Sequence, residues 1–342
     1  NNQGQLGDNT TTQKNIPVRV LGMENAVAVA AGLYHSLALR GDGTVWAWGR
    51  NGDGQLGDNT TTDRHTPVKV QEMENAVAVA GGELHSLALR GDGTVWAWGW
   101  NSNGQLGDNT TVNKKIPVRV QVMENAVAIA GGYEHSLALR GDGTVWAWGR
   151  NLYGQLGDNT ITQENTPVRV QGMENAVAVA GGVYHSLALR ADGTVWAWGR
   201  NDDGQLGDNT TMERHTPVRV LGMENAVAVA GGSDYSLALR GNGTVWAWGW
   251  NYYGQLGDNT TTERHTPVKT SDLPLYCQVW FEWGETTGYG NSTTKQEKTA
   301  VGSFSAGLSG LTSWTTYHFR AVVQNSGGIS YGGGENFRTT DS

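Results

Sequence analysis

Apolar residues come in short bursts along residues 26–49: AVAVA, then SLALR, then TVWAWG, with small polar residues between them. Side chains of a strand point to alternate faces, so Leu37 and Leu39 share one face, and Trp46 and Trp48 share another. Gly41-Asp42-Gly43 separates the second and third bursts, and Asp-Gly between alternating apolar runs predicts a β-hairpin. PVRV at 17–20 adds a fourth strand candidate. No segment carries a convincing helical period.

The pattern then repeats. GQLGD begins at Gly4, Gly54, Gly104, Gly154, Gly204 and Gly254, a strict period of fifty. Complete sets of four strands are expected at 17–49, 67–99, 117–149, 167–199 and 217–249, and a sixth unit breaks off at Thr270. Four short strands per fifty residues predict the blades of a β-propeller, stacked radially. The expected fold is all-β: a propeller over 1–270, with five complete blades and a partial sixth, and a smaller β-sandwich-like domain over 271–342.

HSLALRGDGTVWAWGRNGDGQLGD at 35–58 resembles the regulator-of-chromosome-condensation repeat in the form common in bacterial proteins. The resemblance covers residues 1–270 and recurs in five copies. It implies a seven-bladed propeller, a number that five strand sets do not reach. Ring closure is therefore expected to need something further, or to leave an exposed edge open to pairing. The family includes a nuclear nucleotide-exchange factor, a plant ultraviolet-B photoreceptor and a secreted β-lactamase inhibitor, so the fold does not hand over a function.

Composition changes after Thr270. Every phenylalanine (Phe281, Phe304, Phe319, Phe337) and the single cysteine, Cys277, lie beyond it. VWFEWGETTGYG, LTSWTTYHFRAVVQNSGG and ENFRTT alternate like strands, and the segment resembles a fibronectin type III-like domain of prokaryotic surface proteins over about 275–340. Only SDLPLYCQ stands where that family has its first two strands, so borrowed strands are expected.

Charge and cysteine content narrow the function classes. Charged residues make up 16%, the net charge is −8, and no Lys/Arg cluster occurs, which argues against a grip on nucleic acid. No run of 18 apolar residues offers a membrane-spanning helix. One cysteine excludes an intrachain disulfide and a cysteine-based zinc site. The chain opens on Asn1 within a repeat, so a processed product or a fragment is expected, outside the cell or on its surface.

Several motifs invite sharper readings that the repeat explains more simply. The Trp-Ala-Trp pairs suit packing between blades rather than photochemistry. Arg-Gly-Asp at 40–42, 90–92 and 140–142 becomes RAD at 190–192 and RGN at 240–242, as a hairpin turn allows and an adhesion motif does not. His35, His85, His135 and His185 recur one per unit, with Tyr235 in the fifth, so they spread round a ring instead of converging on a metal. GDNTT is turn chemistry before it is a calcium loop or a glycan acceptor. No nucleophile–base pair or phosphate-cradling loop stands out, and neither an enzyme nor a cofactor is expected.

The copies differ at only a few phases. One is the pair before GQLGD: Gly52-Asp53, Ser102-Asn103, Leu152-Tyr153, Asp202-Asp203, Tyr252-Tyr253. A second is the pair before the histidine phase: Leu33-Tyr34, Glu83-Leu84, Tyr133-Glu134, Val183-Tyr184, Ser233-Asp234. A third is the stretch after DNT, and a fourth is Arg50, Trp100, Arg150, Arg200, Trp250. Exchanges this radical in size and charge do not fit a common core, so these side chains are expected to face outward on loops. Their alphabet of Tyr, Trp, Arg, Asp, Ser and Asn is that of a binding surface. The expected function is a non-catalytic extracellular module contacting a protein or glycan. The alternatives are a subunit that self-associates head to tail by strand complementation and, third, nucleotide exchange on a small GTPase.

Overall fold

Strands β1 (Ala26–Ala31), β2 (His35–Arg40), β3 (Val45–Gly49) and β4 (Arg64–Lys69) form an antiparallel sheet in chain order. The computed structural model describes residues 1–271, 277–298, 303–325 and 328–340. It divides into two units, Asn1–Thr270 and Ser271–Ser342. In the first, the sheet recurs at 76–119, 126–169, 176–219 and 226–269, giving five four-stranded blades. No helix occurs among the described residues.

The β2–β3 hairpin follows the expected alternation, with Ser36 opposite Trp48 and Ala38 opposite Trp46. Its turn is closed by the Asp42 carboxylate, which accepts from the Thr44 amide at 2.9 Å and the Thr44 hydroxyl at 2.6 Å. Arg40 lies 4.1 Å over the Trp46 ring and donates to the Gly22 carbonyl. Both charged groups of the Arg-Gly-Asp stretch are thus occupied within the blade.

The strands group differently from the units of the sequence. The fourth strand of each blade comes from the following unit, after the GQLGDNT loop, and residues 17–20 of the first unit are not in a strand. Arg264–Lys269 pairs with Val245–Gly249 as the outer strand of the fifth blade. Residues 254–270 therefore complete a blade instead of starting an unfinished sixth, and they leave no unpaired strand set to be complemented.

GQLGDNT is invariant because nearly every residue in it is committed. Leu56 is wholly buried between the first and second blades, among Leu37, Leu39, Val45, Ala47, Val70, Met73 and Trp98. The Gln55 carbonyl accepts from Trp98 Nε1 at 2.9 Å and from the Ser86 hydroxyl at 2.8 Å. Gly57 has φ +67°, and a Cβ there would meet Val70 and Trp98 below 3.0 Å. Asn51, just upstream, ties the loop shut: its Oδ1 accepts from the Leu56 amide and its Nδ2 donates to Asp58. The same cluster recurs at the next three junctions. The tryptophans of the Trp-Ala-Trp pairs are packing residues, each with its one polar atom paired, Trp46 Nε1 on the Thr44 hydroxyl and Trp48 Nε1 on the Gln5 carbonyl in the first blade.

Among the described residues of the first unit, no further blade packs on the fifth. Leu239 and Val245 are 36% and 38% exposed, whereas their equivalents Leu89 and Val95 are 3% and 0%.

In the second unit, Cys277–Gly284 and Thr316–Asn325 form the centre of one six-stranded sheet. Gly328–Tyr331 and Glu335–Arg338 pair with the latter, and Asn291–Ser292 and Gln296–Lys298 with the former. Phe281 stacks on Phe304 at 4.6 Å and sits 6.1 Å from Phe319, so one face is aromatic. The described residues make a single sheet, not the two facing sheets of a sandwich. Residues 272–276 of the SDLPLYCQ stretch lie outside the described residues.

Candidate binding face

Two of the variable phases meet through the backbone in every blade. The amide of Arg50 donates to the Tyr34 carbonyl at 2.9 Å, and the pairs Trp100–Leu84, Arg150–Glu134, Arg200–Tyr184 and Trp250–Asp234 repeat the bond at the same length. The residue closing β3 and the residue preceding β2 are thereby fixed side by side at one end of the blade. Neighbouring blades are joined at the same end, where the Leu33 amide donates to the Glu83 carbonyl and the Glu83 amide to the Tyr133 carbonyl.

Side chains from these phases form a strip that crosses the junctions. Arg50 pairs with Asp53 at 3.6 Å and faces Tyr34. Tyr133 donates to Glu83, a bond that pushes the phenol's pKa up. Its ring meets Tyr184 edge-on at 5.8 Å, and Tyr184 lies 5.1 Å from Tyr153. Arg150 bonds Glu134 and lies 5.4 Å over Tyr184. Arg200 faces Tyr153 and bridges Asp202 at 2.8 Å and Asp234 at 3.1 Å. The strip ends in a bare aromatic cluster: Trp250 stacks on Tyr252, and Tyr253 meets both edge-on, with Tyr252 and Tyr253 68% and 77% exposed.

Asp234, Asp203 and Glu83 in the strip are held above the ordinary carboxylate range. Burial raises the pKa of Asp234, with Asp202 adding and Arg200 opposing. Asp203 is raised by burial and by Asp234. Burial also raises Glu83, against the hydrogen bond from Tyr133.

Not every expected residue joins. Gly52, Ser102 and Leu152 stand exposed at the loop tips, Leu84 is half-buried, and Asn103 is engaged through its amide on Gln105 within its own loop. The expectation that all variable positions face outward fails at Glu134, which is only 6% exposed. It is tolerated there because Arg150, at the adjoining variable phase, supplies the countercharge. Glu83 and Tyr133, the first members of their variable pairs, are as central to the strip as the second members. Their variation was the signal that could have marked them as site residues.

The histidines lie apart from this chemistry. His35, His85, His135 and His185 each place Nε2 2.9–3.0 Å from the hydroxyl of Ser86, Ser136, Ser186 or Ser236 on the next blade. Among the described residues no group of three or more His, Cys, Asp or Glu is placed to hold a metal ion.

Blades of this sequence, closed by their GQLGD loops, define a repeat β-propeller with a variable loop rim. Residues 1–289 match the RCC1-like domain, and the chain belongs to that family. A crystal structure of human WBSCR16 is similar with a TM-score of 0.66 and 26% identity over 73% of this chain and 67% of that one. Yeast RCC1 (Prp20) bound to Kap60 is similar at 0.55, with 23% identity over 73% and 76% of the two chains. Prp20p from Saccharomyces cerevisiae, described with its binding properties to Gsp1p and histones, is similar at 0.56 with 23% identity, covering 73% and 78%.

Proposed function

We propose that the protein is a non-catalytic binding module whose loop rim docks a protein. The observation that carries this reading is the strip itself. The positions that vary between otherwise near-identical repeats are joined side by side across four blade junctions. Rigid tyrosines and arginines within it supply the anchoring chemistry of protein interfaces. Support also comes from the fold relatives: yeast RCC1 is found with Kap60, and Prp20p has binding properties towards Gsp1p and histones. Display outside the cell and a glycan in place of a protein belong to the same proposal, the latter resting on the exposed Trp250, Tyr252 and Tyr253. Nucleotide exchange on a small GTPase would be a narrower form of it.

The test is capture on the immobilised chain from a lysate and secretome of the source organism. A variant carrying Tyr153→Ala, Tyr252→Ala and Tyr253→Ala runs in parallel, alongside arrays of glycans. A species retained by the native chain and lost by the variant, with both unfolding at similar temperatures, supports the rim. Equal retention by both overturns it.

A further inference from the structure

The sheet of the second unit covers its two faces unequally. Trp280 and Val322, paired across the central strands, share one face and are 6% and 0% exposed, with Lys295 lying 4.2 Å over the Trp280 ring. On the other face Phe281, Phe319 and Phe337 are all half-buried, although Phe319 lies 6.1 Å from Phe281 and 6.0 Å from Phe337. Residues 304–308, Phe-Ser-Ala-Gly-Leu, cross this face, with Phe304 stacked on Phe281 at 4.6 Å. Beside them lies an apolar hollow of about 200 Å³, lined by Phe281, Ala306, Leu308, Phe319 and Phe337.

The crossing segment has the pattern of a strand without a strand beside it. Phe304, Ala306 and Leu308 are half-buried while Ser305 and Gly307 are exposed, the alternation of an extended chain on an apolar floor. Among the described residues no strand pairs with it. The Ser305 carbonyl accepts from Gln296 Nε2 at 2.7 Å. Gln296 pairs with Val279, on the side of Cys277–Gly284 away from Thr316–Asn325. In an extended chain the N–H and C=O of one residue point to one edge, and those of the next residue to the opposite edge. Ser305 faces Gln296, so the backbone groups of Phe304, Ala306 and Leu308 face the other way, over Phe319 and Phe337. An unpaired edge above an apolar hollow is a template for one more strand.

We propose that the second unit takes up an extended segment of a partner protein, laid beside residues 304–308. A row of main-chain groups is met in series only by another extended main chain, which fixes the occupant as a strand. The five lining side chains carry no polar group, so the strand brings an aliphatic side chain at every second position and polar ones between. Main-chain hydrogen bonds supply the affinity and the hollow supplies the selection. This contact draws on none of the rim residues.

The test uses the full chain and a short dye-labelled peptide that alternates valine with threonine, read by fluorescence anisotropy. A control peptide has the same composition with its valines consecutive. The native chain is expected to bind the alternating peptide at least tenfold more tightly than the control. Amide exchange at Ala306 and Leu308 should slow when that peptide is added, and exchange at Ser305 and Gly307 should not. Ala306→Leu fills the hollow from within, and should weaken binding at least tenfold while the chain unfolds at no lower temperature. Ala306→Pro removes an N–H from the pairing edge and should abolish binding, whereas Gly307→Pro removes one from the opposite edge and should not. The proposal is overturned if the native chain does not bind the alternating peptide or binds both peptides equally. It is equally overturned if amide exchange at Ala306 and Leu308 is unchanged, if Ala306→Leu binds as the native chain does, or if the two proline variants behave alike.

Discussion

His85 Nε2 lies 3.0 Å from the hydroxyl of Ser136, fifty-one residues along the chain and one blade away. Ser136 donates its own proton to the Gln105 carbonyl, so it accepts from the imidazole and fixes the Nε2–H tautomer. The opposite nitrogen, Nδ1, is buried without a hydrogen-bond partner, as it is in His35, His135 and His185. These rings are held neutral. Burial lowers His35 and His185 to about 4, and His85 and His135 to about 3, from 6.5.

Acid should therefore loosen the propeller before it titrates most carboxylates. The unfolded chain binds protons on these histidines below about pH 6.5 and the folded chain does not, so the stabilisation is full above that pH. It is lost as pH falls towards 3–4, by on the order of 3 kcal/mol for each histidine. Denaturant unfolding measured between pH 7.5 and 4 should show this slope, and His135→Gln should flatten it. A pH-independent midpoint across that range would mean that the rings are hydrated in solution.

The repeat itself made the fold legible, because five copies report the same alternation and a turn that is Asp-Gly in four of them and Asn-Gly in the fifth. What the copies could not reveal was which unit supplies the fourth strand. RHTPVK at 64–69 does not alternate, and its partner is chosen by the Asn51-closed loop that folds it back on β3. The rim was legible as variation, yet the pairing of Glu134 with Arg150 was not. Variation alone cannot separate an exposed side chain from a buried one that changes together with its countercharge.

Asn101 should be far more sensitive than its place in a polar loop suggests. It is wholly buried, accepts from the Leu106 amide at 2.9 Å, and donates to Asp108 and to the carbonyls of Thr110 and Val112. Asn101→Ala strands a buried amide and removes a clamp, and is expected to cost at least about 2 kcal/mol. Thermal unfolding of the variant against Ser102→Ala, one residue on and exposed, gives the comparison. Equal effects would show that the loop is not a clamp.

Tyr133→Phe probes the rim without disturbing its packing. The Tyr133 hydroxyl opposes the burial that raises the Glu83 pKa, so its removal should raise Glu83 further. Carbon-detected titration of the Glu83 carboxyl would show this as an upward shift. An unchanged midpoint would mean that the hydrogen bond across the two blades does not persist in solution.

Leu89 and Leu239 occupy the same position of HSLALR and YSLALR, and sequence alone gives them the same cost of truncation. The structure separates them. Leu89 is sealed by the following blade and Leu239 is 36% exposed. Leu89→Ala leaves a cavity inside a packed junction and is expected to cost about 2–5 kcal/mol. Leu239→Ala, at concentrations dilute enough to keep the chain monomeric, should cost less than about 1 kcal/mol. The comparison reads directly whether anything packs on the fifth blade within one chain. Matching losses at the two leucines would show that its end face is covered in cis, by the second unit or by the first blade.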